Sequence, residues 1–188
     1  MAAVCDCFPE LKSVTDAREA RYRADPSQPA PEGPQSSLEV TVTSIGQLNE
    51  RVSTRNSGRQ FMISEPKHVG GLADAPTPLE YLLSGAVGCY AAVFAFYAAK
   101  RGVNYESFEA VARTSFDVRG HVMPDAPPSG FQKVSIAINV KSDAPPERLR
   151  EIEQLALKGC PGIATLRDPV AVETVLTVTP AAQQAAVA

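Results

Sequence analysis

Two cysteines, Cys89 and Cys160, are the residues of this chain best placed by type and context to carry covalent chemistry. A thiolate can attack the outer oxygen of a peroxide, and a second thiol can convert the resulting sulfenic acid to a disulfide before further oxidation. Each cysteine also has a plainer reading. Cys89 falls inside an apolar helical stretch, where free cysteine is most often packing. Cys160 precedes Pro161 where a new helical turn can start, so as an N-cap its thiolate would meet backbone amides and the positive end of the helix dipole. A disulfide between them requires alpha carbons about 4.4 to 6.8 Å apart, so the elements that carry them must be brought side by side.

The clearest of those elements opens at Thr77-Pro78-Leu79-Glu80. Thr77 suits the N-cap, Pro78 the first helical position and Glu80 the third, which completes a capping box. The helix is expected to run to Arg101, with Lys100 and Arg101 at the negative end of the dipole and Gly102 as the left-handed stop. It is apolar nearly all round. A bulky stripe (Leu83, Val87, Tyr90, Phe94, Tyr97) faces a small one (Gly85, Gly88, Ala92, Ala95, Ala99), along which a second backbone can approach closely. Cys89 adjoins the small stripe. Pro145 and Pro146 start a second helix, with Leu149, Ile152, Leu155 and Ala156 on one face, which stops at Gly159.

Strands fill the intervals. Alternation at Leu38, Val40 and Val42 predicts a half-buried strand, followed by one over 47–55, an Asn56-Ser57-Gly58 turn and one over 59–64. Further strands are expected over 107–119, 131–140 and 170–178. Strands, long helix, strands, helix, strand give an α+β fold with helices packed on an antiparallel sheet. The domain is expected over 38–180, after an N-terminal arm and Pro-rich linker over 1–37 and before a flexible tail over 181–188. A short polar helix over 8–23 belongs to the arm, which docks on the body or on a partner subunit. Residues 26–36 hold four prolines and read as an extended linker.

Composition narrows the function. With 44% apolar and 21% charged residues, 188 residues make one ordinary core. A net charge of −3 and no block of like charge offer nucleic acid or anionic lipid no basic field. No stretch reads as a secretory signal or a membrane span, and four cysteines are too few for a secreted disulfide scaffold, so a cytoplasmic protein is expected. His68 and His121 lack a metal-ligand spacing with either cysteine, Cys5-x-Cys7 reads as part of a solvated tail, and Gly70-Gly71 is too short for a phosphate loop. The glycine pair instead lets the chain turn into the long helix.

The segment Glu65-Pro66-Lys67-His68-Val69-Gly70-Gly71, then Pro76-Thr77-Pro78-Leu79-Glu80-Tyr81-Leu82-Leu83, Gly88-Cys89 and Gly159-Cys160-Pro161, resembles the OsmC-like family, which includes the organic hydroperoxide resistance proteins. The likeness covers about 38 to 178. It implies an intertwined homodimer with two long helices side by side at its centre and active sites at the subunit interface. It further implies a peroxidatic Cys89, a resolving Cys160, an organic hydroperoxide as substrate, a dihydrolipoyl-type dithiol as reductant and no prosthetic group. Two positions depart from the pattern. The hydroperoxide resistance branch has an acid ten residues before its peroxidatic cysteine; Leu79 stands there, with Glu80 one residue later. Nine residues of helix turn through about 900° and rise about 13 Å, so Glu80 points away from Cys89 and serves the site only from another subunit or through a broken first turn. The same branch uses an arginine from its N-terminal strands; Arg51, Arg55 and Arg59 are the candidates, with Arg51 favoured and a solvent-facing strand charge the plain alternative for each. Tyr90, Phe94 and Tyr97 are expected as apolar walls for an alkyl tail. The rival reading is a non-catalytic dimer of the same fold that binds a small apolar ligand or senses oxidants. A reductase or hydrolase acting through Cys89 lacks an identifiable base.

Overall fold

The structure, a computed structural model, describes residues 8–27 and 36–178. Cys5, Cys7, most of the Pro-rich linker and the expected tail lie outside the described residues. Helix α1 (Phe8–Ala24) is followed by strands β1 (Val40–Gly46), β2 (Asn49–Thr54) and β3 (Gln60–Ser64). Next come the long helix α2 (Pro78–Arg101), strands β4 (Ser107–Phe116) and β5 (Phe131–Lys141), and helices α3 (Pro146–Gly159) and α4 (Pro161–Arg167). The fold is α+β, as expected, with its antiparallel strands divided between two sheets.

β1, β2 and β3 form a meander, with Val42 opposite Val52 and Val52 opposite Phe61. The first hairpin closes through Gln47 and Leu48, both at positive φ (51° and 55°), the geometry of a two-residue primed turn. No Asn-Gly or Asp-Gly marks it, and the strand expected over 47–55 starts only at Asn49, after this turn. The second turn lies at Asn56-Ser57-Gly58 as expected: Gly58 takes φ 65°, and its amide donates to the Thr54 carbonyl at 3.0 Å. β1 departs from expectation, for every residue of it is exposed. Its alternation is that of a strand with one apolar face, but nothing among the described residues covers that face.

The meander is tied to the entry of α2 by buried polar groups. Ser64 Oγ donates to Asn49 Oδ1 at 2.7 Å, and Asn49 Nδ2 donates to Asp74 Oδ1 at 3.2 Å. Gly70 takes φ 98°, and a Cβ on Gly71 would overlap the Glu65 carbonyl, so the glycine pair makes the sharp turn that precedes the helix.

α2 begins and ends where its sequence signals stand. Thr77 Oγ1 accepts from the Glu80 amide at 3.2 Å and the Thr77 amide donates to Glu80 Oε2 at 2.8 Å; Gly102 closes the helix at φ 63°. Thr77→Ala removes one side of this reciprocal cap. It is expected to cost about 1 kcal/mol, read as a fall of about 2 to 4 °C in thermal denaturation.

The core gathers around the second half of α2. Tyr90, Phe94, Ala98 and Ala99 are buried against Tyr105, Ile152, Ala156 and Cys160. Phe108 of β4 closes the cluster, its ring centroid 5.0 Å from that of Phe94 and 6.3 Å from that of Tyr105. Burial of an aromatic such as Phe94 contributes about 1.5 to 3 kcal/mol. α3 presents Ile152 and Ala156, both fully buried, as its apolar spacing predicts. α1 lies along α2, with Leu11 against the core and Glu19 ion-paired to Lys100.

Two further expectations are corrected. Residues 170–178 form no strand; Val172, Val175 and Leu176 are 84%, 94% and 88% exposed. A strand requires a neighbour for its amides and carbonyls, and none is at hand among the described residues. α2, at 24 residues and a mean hydropathy of 1.7, does reach the length and composition of a membrane span. Here α1, α3, α4 and β4 all contact it, and 33% of its most apolar stretch is buried.

Candidate active site

Cys89 sits near the middle of α2, half-buried, where Ala86 and Cys89 meet the first turn of α4. Cys160 is the single residue between α3 and α4 and is fully buried. As predicted, it caps α4: its Sγ accepts from the Ile163 amide at 3.5 Å. The cap lies directly on α2. A Cβ on Gly162 would stand 3.0 Å from Ala86 Cα and 3.1 Å from Cys89 Cβ, tighter than ordinary van der Waals contact, so a glycine suits this close approach. The outcome is that Cys89, distant in sequence from Cys160, packs against the buried cluster that holds it.

Their surroundings differ. Burial pushes the Cys160 thiol above its ordinary value, the amides of Ile163 and Gly162 pull it back, and Cys89 beside it adds to the rise because two neighbouring thiolates repel. Tyr90 is packed in the same cluster, and burial, Glu153 and Cys160 push its phenol up to about 12. Its hydroxyl is buried without a hydrogen-bond partner among the described residues. Cys89 instead faces a groove of about 1040 Å³ between α1 and α2. Val93, Phe96 and Tyr97 form its apolar floor, and Arg18 and Arg23 of α1, with Lys100, its charged side.

The structure therefore brings together the two cysteines and leaves the other candidates elsewhere. Glu80 is occupied by its cap, where the Thr77 amide and hydroxyl hold its carboxyl below the usual range. Arg51 is exposed on β2, Arg55 pairs with Glu39 at 2.7 Å, and Arg59 is exposed. None of the four lines the groove. Of the expected walls only Tyr97 reaches it. Tyr90 and Phe94, each 1% exposed, belong to the core, and Val93 and Phe96 take their place because they lie on the α1 side of α2. Arg18 and the close contact at Gly162 escape a sequence reading: the arm helix is expected to dock, but with no strong apolar face nothing says which of its side chains meet α2, and a glycine after Cys-Pro carries no signal of what it touches. No cluster of His, Cys, Asp or Glu among the described residues is arranged to hold a metal ion.

A buried thiol and a groove-facing thiol thus lie in one packed cluster between a long helix and a helix-capping turn on an α+β frame. The family model described as OsmC-like protein matches residues 71–175, more than half of the chain. The chain belongs to the OsmC-like family. Similar solved structures carry the same fold. An OsmC-like protein from Mycoplasma pneumoniae aligns with a TM-score of 0.61 at 19% identity, over 71% of this chain and 89% of that one. An OsmC-like protein from Vibrio cholerae aligns at 0.58 and 17%, over 70% and 94%. An organic hydroperoxide resistance protein OsmC from Legionella pneumophila aligns at 0.53 and 17%, over 70% and 90%. Comparison with curated proteins returns no match.

Proposed function

We propose that this protein is a cysteine peroxidase that reduces organic hydroperoxides and acts in oxidative stress defence. The observation that carries this reading is that a groove-facing Cys89 packs against the cluster that holds a buried, amide-capped Cys160. Cys89 lines the groove and Cys160 is buried, which supports Cys89 as the thiol that meets the peroxide. The Cys89 thiolate attacks the outer oxygen of ROOH; the O–O bond breaks, a sulfenic acid forms on Cys89, and the alkoxide leaves as ROH after taking a proton. Sulfur loses two electrons and the peroxide gains them. The Cys160 thiolate then attacks the Cys89 sulfur, the disulfide forms, and the sulfenic hydroxyl departs as water with the proton Cys160 gave up. A dithiol of the dihydrolipoyl type returns two electrons and restores both thiols. No cofactor enters the cycle.

The local electrostatics suit that order. While Cys89 is a thiolate its charge keeps Cys160 protonated; once Cys89 is a neutral sulfenic acid, that repulsion is gone and the Ile163 and Gly162 amides favour the Cys160 thiolate. Burial still holds Cys160 above an ordinary thiol. Disulfide formation after the peroxide step is therefore expected to accelerate steadily as pH rises from 7 to 9, by close to tenfold per unit. Stopped-flow measurement of the slower of two phases, with stoichiometric cumene hydroperoxide, tests this. A resolving phase independent of pH in that window contradicts the role given to Cys160.

A homodimer is part of this reading. Cβ atoms at Gly85 and Gly88 would meet open space, β1 is exposed throughout, and the apolar run over 170–178 is uncovered. A second copy laid along α2 would cover these surfaces, and it is from that copy that Arg51 and Glu80 would reach a thiolate. The same observation favours the rival: with neither residue at the groove, a dimer that binds an apolar ligand or senses oxidants slowly has the same geometry. It predicts that Cys89→Ser leaves ligand binding intact. A cytoplasmic setting is proposed because the mechanism needs both thiols reduced at rest.

A further inference from the structure

One polar group of the core has no partner. Tyr90, which follows Cys89 on α2, is 1% exposed, and its hydroxyl makes no hydrogen bond among the described residues. It is buried in the cluster that also holds Cys160. Packing alone does not call for the hydroxyl. The ring meets that of Phe108 at a centroid distance of 6.5 Å, a contact that phenylalanine would make equally well. A buried hydroxyl without an acceptor, by contrast, carries its full desolvation penalty. Such an orphaned donor beside a reactive group points to an acceptor that exists only in another state of the site. The groups facing it from neighbouring elements are Glu153 of α3, Cys160 of the α3–α4 junction and the apolar Phe108 of β4. Of these Cys160 is the one that changes in the proposed cycle. As a protonated thiol it is a weak acceptor; as a buried thiolate it has the Ile163 amide at 3.5 Å and room for a further donor.

We propose that the Tyr90 hydroxyl is a built-in hydrogen-bond donor for the Cys160 thiolate, unpartnered while that thiol is protonated and engaged once it ionises. This deepens the peroxidase reading, on which it rests for Cys160 as the resolving thiol. Folding has already desolvated the donor, so that penalty is not incurred when the charge forms. Tyr90 keeps its own proton throughout, because burial, Glu153 and Cys160 push its phenol up to about 12. The proton that Cys160 releases leaves with the sulfenic hydroxyl as water.

Carbon-13 NMR of cysteine Cβ in the full chain carrying Cys89→Ser follows the titration of Cys160 with no peroxide and no neighbouring thiolate present. Adding Tyr90→Phe is expected to raise the pH at which Cys160 titrates by about 1 to 2, since loss of a donor to the charged form disfavours that form. Urea denaturation is expected to find the variant folded and no less stable, because the orphaned hydroxyl is gone. With Cys89 present, Tyr90→Phe is expected to slow the resolving phase at pH 8 by at least about tenfold. A Cys160 titration unmoved by Tyr90→Phe overturns the inference. So does a shift that vanishes when Glu153→Gln is also present, which would make that carboxylate the partner of Tyr90. A shift that persists upholds it even if cumene hydroperoxide leaves Cys89 unoxidised, a result that instead removes the peroxidase reading.

Discussion

Cys89→Ser is expected to slow reaction with one equivalent of cumene hydroperoxide by at least about 10³-fold, since a serine hydroxyl without an adjacent base is no nucleophile at neutral pH. Cys160→Ser is expected to react at nearly the wild-type rate but to stop at the sulfenic acid, trapped by a dimedone adduct, and to pass to sulfinic acid with excess peroxide. The asymmetry follows from exposure, with Cys89 open to the groove and Cys160 closed inside the core. A simple exchange of partners would give equal losses in both variants. Rates and intact masses of the two variants distinguish these results.

Gly162→Ala is expected to impair the second step and the fold together. The added Cβ would stand 3.0 Å from Ala86 Cα, 3.1 Å from Cys89 Cβ and 3.2 Å from the Ala86 carbonyl oxygen. Two of these are backbone atoms of a long helix, so the first turn of α4 is expected to shift by a few tenths of an ångström and carry Cys160 with it. The cost is about 1 to 3 kcal/mol of stability, as for other overpacked contacts. Disulfide formation is expected to slow by at least about tenfold, because the geometry that allows a disulfide tolerates little displacement. The peroxide step, which needs Cys89 alone, is expected to change less. Urea denaturation and stopped-flow thiol consumption measure the two effects separately; a resolving phase at the wild-type rate contradicts the contact assigned to Gly162.

Much of this arrangement is written in local sequence. The cap at Thr77 and Glu80, the stop at Gly102 and the cap by Cys160 each depend on groups within a few residues, and each stands where residue type predicts. Local signals also give the meander and the β4–β5 pair, because alternation and turn residues act over short range. What they omit is whatever needs a neighbour from afar. Among the described residues the 170–178 segment has the composition of a strand and no partner for its ladder, and β1 has an apolar face without a cover. The Gln47-Leu48 turn uses left-handed residues that seldom announce one. In the site, Cys89 and Cys160 are legible by type and context, whereas the groove is not: its wall comes from α1, whose ion pair from Glu19 to Lys100 spans the length between arm and helix. Tyr90 and Tyr97 lie seven residues apart on nearly the same face of α2; the α3–β4 packing buries the first and the open side beneath α1 exposes the second.

Addition of one equivalent of cumene hydroperoxide to the reduced wild-type protein, followed by intact mass and peptide mapping, tests whether Cys89 and Cys160 act as one redox pair. The proposed cycle predicts rapid loss of two hydrogens and a single Cys89–Cys160 crosslinked peptide. A mass gain of one or more oxygens on Cys89 without that crosslink, or slow and equal oxidation of all thiols, would contradict it.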